Sequence, residues 1–236
     1  VYFPAQRPDL SRSAGIRAAG SRVLAAAGIG LDDVSWFDLY SCFPAAVEAA
    51  VDALGLEATD QRGFTVTGGL PYHGGPGNNY VSHSIVEMAR RCRADQKGVG
   101  LVSGLGWYIT KHSVGLWSAA PPPKGWQAPD MTGVQASIDS TALHVVETSA
   151  AVGTARIDGY TVVHDRDTGP ASVPVFASTP DGHRVVARSD DPDVAAAMSG
   201  GAVPFSNSLW ERIRSNCSAP TSSLSTAWPP RAAPLA

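Results

Sequence analysis

The chain has 236 residues, a formal charge of −3 and 17% charged residues, long enough for one large or two modest domains whose core needs no disulfide staples. An average globular domain is about 25% charged, and no basic run here exceeds the cluster Arg90, Arg91 and Arg93, so a protein that tracks phosphates along a nucleic acid is excluded. The longest apolar stretch, Val23 to Leu31, is far below the ~18 residues needed to cross a bilayer.

The chain opens at Val1 with a Pro-containing, loop-like segment, which suggests part of a longer polypeptide. Arg12 to Ala27 places Ile16, Ala19, Val23, Leu24 and Ala27 at helical spacing, with Ser11 or Ser13 as N-cap and Gly28 as the stop. Val34 to Leu39 reads as a strand and Phe43 to Leu54 as a helix closed by Gly55. A Gly-rich loop, Gly68 to Gly77, leads into a third helix over Asn79 to Arg93, with Val81, Ile85, Met88, Ala89 and Cys92 on one face. Gly98 to Ser103 and Ser113 to Ser118 are short buried strands joined through a turn around Gly104 to Gly106. Three helices are too few to cover both faces of such a sheet, so one apolar face should be open when the chain is alone.

The cluster Pro121, Pro122, Pro123 and Pro129 can continue neither helix nor ladder, which makes residues 119–140 a linker. Beyond it, Leu143 to Glu147, Ala155 to His164, Pro174 to Ala177 and Arg184 to Ala187 are short Val-, Ile- and Tyr-rich runs separated by the turn signals Asp167 to Pro170 and Pro180 to Gly182. They predict a small all-β domain over residues 141–210. Residues 211–236, rich in Ser, Ala and Pro, predict a mobile tail. Cys42, Cys92 and Cys217 are an odd, widely spaced set without a metal-ligand doublet, which predicts no disulfide, no metal site and a reducing, cytoplasmic setting.

Three stretches can carry chemistry. In Gly68-Gly69-Leu70-Pro71-Tyr72-His73-Gly74-Gly75-Pro76-Gly77, backbone N–H groups and the following helix N-terminus suit an oxyanion or carbonyl oxygen, and His73 can donate to a thioester oxygen. A hydrogen-bonded turn histidine is the competing reading. Asp38-Leu39-Tyr40-Ser41-Cys42-Phe43 stands where a strand ends and a helix begins, the place where open α/β sheets gather ligands. No neighbouring cation lowers the Cys42 pKa, so a buried inert thiol competes with a nucleophile there. The third stretch runs from Ser103-Gly104-Leu105-Gly106-Trp107 to Lys111-His112. A plain hairpin explains its glycines equally well, and Lys111 and His112 read as a solvated rim or as polar site residues.

In order and spacing these stretches resemble the C-terminal half of the thiolase superfamily, nearest to the lipid-transfer or sterol-carrier thiolases and thiolase-like proteins. The resemblance covers Pro8 to about Ser118. It implies an α/β fold: a βαβαββ half-domain over residues 1–118 that packs on an N-terminal copy of itself, with Claisen condensation or thiolysis of acyl-CoA as the activity. It places His73 on the residue that holds the thioester oxygen, Tyr40 on the position that supplies an Asn or His, and Ser103 on the acid/base Cys. The glycines Gly74, Gly75, Gly104 and Gly106 then line the substrate. Residues 141–210, with Tyr160-Thr161-Val162-Val163-His164-Asp165-Arg166, resemble the OB-like barrels associated with such proteins.

The resemblance further implies a coenzyme A thioester as substrate, no tightly bound cofactor, and an acyltransferase that is incomplete without an N-terminal half, in the same or a separate polypeptide, in a homo- or hetero-oligomer. A serine hydroxyl at residue 103 is not a proton carrier near neutral pH. Two further readings follow: a retro-aldolase in which Tyr40 carries a proton on a β-hydroxyacyl-CoA, and a non-catalytic acyl-CoA-binding or scaffolding protein.

Overall fold

The structure, a computed structural model, describes residues 3–146 and 154–200. The expected tail, Cys217 and the end of the expected β domain lie outside the described residues. The described residues divide into two compact units, one up to Leu143 and one from His144 onward.

The first unit begins with α1 (Ala14–Ala27), α2 (Pro44–Leu54), a one-turn helix α3 (Leu70–His73) and α4 (Tyr80–Ala94), interleaved with β1 (Trp36–Asp38), β2 (Val99–Gly106) and β3 (Lys111–Ser118). Each long helix has a local reason for its ends. Ser13 accepts the Ile16 N–H at the start of α1, Pro44 stands in the first turn of α2, and Gly28 and Gly55 close those two helices in the left-handed conformation. The sheet order is β1-β2-β3, with β1 parallel to β2 in the register Asp38 to Val102, and β2 antiparallel to β3 in the register Ser103 to Val114.

Alternation along the strands divides the core. Phe37, Leu39 and Leu101 pack with Ile16, Ala50 and Val51 of α1 and α2. On the other face, Val102 packs with Met88 and Cys92 of α4. Both faces are therefore covered, contrary to the expectation of one open apolar face. Three strands spaced ~4.8 Å apart make a sheet scarcely wider than the ~10 Å diameter of one helix, so one or two helices suffice for each side. Phe37 is 0% exposed, and full burial of such a side chain contributes about 1.5–3 kcal/mol.

The β2–β3 turn also differs from expectation. β2 continues through Gly104 to Gly106, which pair with Ser113 and Lys111 of β3, and the chain reverses over residues 107–110. The glycine at 104 serves close packing within the strand, since a Cβ there would lie 2.5 Å from Ser113 Oγ. A short helix, α5 (Val134–Asp139), occurs within the stretch read as a linker.

In the second unit, β4 (Val145–Val146), β5 (Arg156–Tyr160), β6 (Val163–Asp165), β7 (Gly169–Ser178) and β8 (Arg184–Ser189) form a sheet in the order β4-β8-β7-β5, with β6 also pairing β7. Val173, Val175, Ala177 and Ala187 bury one face against Val194, Ala195 and Met198. Those last residues belong to α6 (Pro192–Ser199), a helix that the strand-like texture of this region did not lead us to expect. Its start is local: Asp191 Oδ1 accepts the Asp193 and Val194 N–H groups, and Pro192 occupies the first turn. Arg184, with a side chain 2% exposed, reaches Asp158 Oδ2 at 3.3 Å. The molecule is thus mixed α/β, as expected.

Candidate functional site

The carboxyl ends of β1 and β2 lie side by side, which brings the segment after Asp38 against Ser103 to Gly106. The Tyr40 N–H donates to Ser103 Oγ at 3.0 Å. Tyr40, Ser103, Gly104, His112 and Ser113 line one small cavity at this end of the sheet. The structure therefore unites two of the three expected catalytic positions, Tyr40 and Ser103. Ser103 is 6% exposed and its oxygen is committed to the backbone of Tyr40. Burial, then the neighbouring Cys42 and Tyr80, push the Tyr40 phenol above its ordinary pKa of 10.0, so it stays protonated at neutral pH.

The Gly-rich loop is anchored from below. Asp38, 0% exposed, stands on β1 facing α4. Its Oδ2 accepts from the Val66 and Thr67 N–H groups, each at 3.0 Å, and from Thr67 Oγ1 at 2.9 Å, while Oδ1 accepts from Ser84 Oγ at 2.6 Å. Because the Thr67 hydroxyl donates to the carboxylate, it accepts from Tyr80 Oη at 2.9 Å and from the Gly69 N–H at 3.1 Å. Ser41 Oγ accepts the Leu70 N–H at 3.2 Å. Gly69 adopts φ +86°, and a Cβ there would lie 2.6 Å from Ser41 Oγ, so glycine is required on both counts. The N–H groups at the start of the loop thus serve the fold.

His73, the last residue of α3, is exposed, as are Gly74 and Gly75. Its ring lies 5.9 Å from that of His83, His83 lies 6.0 Å from Tyr80, and Tyr80 meets Tyr40 edge-on at 5.3 Å. His73 is joined to the Tyr40 region through this row of rings and does not line the cavity shared by Tyr40 and Ser103. Gly104 lines that cavity; Gly106 lies two residues further along β2.

Burial raises the Cys42 pKa, which fits a thiol held in its inert form. Cys42 and Cys92 are both free. Among the described residues no group of three or more His, Cys, Asp or Glu side chains is placed to hold a metal ion, and no helix is long and apolar enough to cross a membrane.

His112 is the residue the sequence reading underrated. It is half-buried in the cavity wall, and desolvation, with a smaller contribution from Arg7, holds its pKa below 6.5 against the opposing hydrogen bond to Ile109. The signal was present in the alternation of His112, Val114 and Leu116: the two apolar residues pack on the α1 and α2 core, so period two places His112 on that same face.

Comparison with known proteins agrees with this architecture. Residues 133–206 match the family described as the thiolase-like protein type 1 additional C-terminal domain. The crystal structure of a monomeric SCP2-thiolase-like protein type 1 from Mycobacterium smegmatis is similar over 85% of this chain, with 37% identity and a TM-score of 0.76. No curated protein matches the sequence. The chain spans 43% of the length of the Mycobacterium smegmatis protein. With a structural likeness over most of the chain and the additional C-terminal domain matched at residues 133–206, the chain belongs to the thiolase superfamily.

Proposed function

We propose that the chain is the C-terminal portion of an acyl-CoA-handling thiolase-like protein in which Tyr40 carries the proton chemistry and Ser103 holds the strand end. The observation that carries this reading is the bond from the Tyr40 N–H to Ser103 Oγ at 3.0 Å, at a serine only 6% exposed. A hydroxyl used in this way does not supply the acid/base required for Claisen condensation or thiolysis. The phenol of Tyr40, packed edge-on against Tyr80, is kept protonated, which suits proton delivery to an acyl-CoA enolate after retro-aldol cleavage of a β-hydroxyacyl-CoA.

The complementary N-terminal half is part of this reading, and so are the CoA thioester as substrate and the absence of a tightly bound cofactor. The related Mycobacterium smegmatis protein is described as monomeric, which favours both halves in one polypeptide over assembly from separate chains. A second reading, acyl-CoA binding without turnover, is favoured by the exposed position of His73 outside the cavity.

The test is cleavage of a β-hydroxyacyl-CoA by the protein with both halves present, with CoA-thioester affinity measured alongside by calorimetry. Tyr40→Phe should lower turnover by about 10²–10⁴-fold, the range for a positioned acid/base, with affinity unchanged. Binding without cleavage by the unsubstituted protein would establish the second reading, and unchanged turnover in Tyr40→Phe would eliminate the first.

A further inference from the structure

We propose that His83 is the hydrogen-bond donor to the thioester oxygen, the role that the resemblance places on His73; the inference rests on the acyl-CoA reading above. The starting observation is an orphaned atom. His83 is half-buried in the first turn of α4, and its Nδ1 is buried with no hydrogen-bond partner among the described residues. Buried polar atoms in folded proteins are almost always paired, and a buried N–H left without an acceptor costs about 1–3 kcal/mol. In the neutral ring the proton therefore resides on Nε2, and Nδ1 keeps only its lone pair. That leaves one N–H donor, at the distal nitrogen of the side chain. Packing alone is served as well by a phenylalanine or a leucine, which bury no polar atom, so the imidazole points to a ligand.

Contacts that leave both nitrogens unused set the place of this ring. Tyr80, three residues back on α4, lies 6.0 Å from His83, ring to ring, at 72°. Tyr80 is 2% exposed, its hydroxyl donates to Thr67 Oγ1, and the Thr67 hydroxyl donates to the Asp38 carboxylate. A buried carboxylate thus fixes the ring that both His83 and Tyr40 pack against, and Tyr80 is the single ring between them. The loop before α4 leaves space: a Cβ at Gly74 or Gly77 would meet no atom within 4 Å. His73, 5.9 Å from His83, is exposed. A donor in full contact with water gains little from a new acceptor, whereas one already partly withdrawn from water gains more.

The chemistry needs no proton from the imidazole. An acyl-CoA enolate carries its negative charge largely on the thioester oxygen. Nε2–H meets that charge, and Tyr40 Oη supplies the proton to Cα, leaving a phenolate. The oxygen and Cα share one carbonyl carbon as neighbour, so their two partners belong close together but on separate sides, as one intervening ring places them. The bond at His83 strengthens while charge is present and weakens once the acyl-CoA product forms.

The probe is acetyl-CoA carrying a 13C label at its carbonyl, which has no β-hydroxyl to cleave, bound to the protein with both halves present. A donor at the thioester oxygen moves the carbonyl resonance downfield, a readout that a purely structural residue does not move. The shift should appear in the unsubstituted protein, vanish in His83→Ala, and persist in His73→Ala and Tyr40→Phe. His83→Phe, which keeps a ring against Tyr80 but has no donor, should stay folded by circular dichroism and also lack the shift, so the test holds if the alanine variant unfolds. His83→Gln, whose amide N–H stands near the place of Nε2, should restore part of it. With a β-hydroxyacyl-CoA, His83→Phe should lower kcat by about 10²–10³-fold with KM little changed. A shift that persists in His83→Phe or vanishes in His73→Ala overturns the assignment, as does a bound probe with no shift in the unsubstituted protein. Unchanged turnover in Tyr40→Phe, with the shift still dependent on His83, overturns the role of Tyr40 and leaves that of His83 standing.

Discussion

Replacing Asp38 tests whether one buried carboxylate holds the Gly-rich loop to the sheet. In Asp38→Ala, the Val66 and Thr67 amides and the Thr67 and Ser84 hydroxyls lose their common acceptor, all in a region where Asp38 itself is 0% exposed. A buried donor left unpaired costs about 1–3 kcal/mol. The hydroxyls can rotate toward other acceptors, whereas the two amides cannot, so the net loss should be about 3–5 kcal/mol, the range for removing one partner from a buried charged network. Asp38→Asn is the informative control. Its carbonyl oxygen still accepts from the loop, its NH₂ can donate to Ser84 Oγ, and only the charge assistance disappears, about 1–2 kcal/mol. Urea unfolding of the intact protein at constant m-value reads both numbers. In thermal scans, alanine should lower the midpoint of the first unit by about 6–20 °C. The network is refuted as the loop's anchor if alanine costs less than about 1 kcal/mol, or if asparagine costs as much as alanine.

Two further expectations concern the rest of the first unit. Arg62 holds the Asp60 carboxyl down from 3.8 to about 2 while donating to the Leu31 and Val34 carbonyls. A carboxyl whose folded pKa is depressed contributes stability that is full above 3.8 and lost as the pH falls toward 2. The acid transition of the unsubstituted protein should therefore be steeper across that window than that of Asp60→Asn, as read by fluorescence-monitored unfolding. At Gly100, a Cβ would lie 1.9 Å from Met88 Sδ. Gly100→Ala should then cost about 1–3 kcal/mol through overpacking. The double variant with Met88→Ala should be more stable than the sum of the two single losses predicts, since the pair shares one space.

The sequence alone determined the order of the long elements in the first unit, and the reasons are local. Ser13, Gly28, Pro44 and Gly55 mark helix ends whatever surrounds them, and the period of the apolar residues in α1 and α4 is a property of a few consecutive turns. The family resemblance, too, was carried by contiguous stretches around Tyr40, His73 and Ser103. The helix α6 was legible in Asp191-Pro192 followed by Val194, Ala195 and Met198, but the Val-rich strands before it set the expectation.

Tertiary structure decided which of these residues meet. Tyr40 and Ser103 are 63 residues apart and come together only because β1 and β2 pair in parallel register. Asp38 becomes an anchor only because the fold surrounds it with four donors from the loop and α4. His112, open in the sequence between a solvated rim and a polar site residue, stands in the cavity wall because Ser13 and Gly15 at the start of α1 pack against it, 99 residues away in sequence for Ser13. His73 took the opposite course: its local sequence promised a site, but α3 ends with it exposed beside His83. Local signals specify where backbone groups need caps and which face is apolar, whereas the direction a polar side chain takes depends on partners supplied by distant strands and helices.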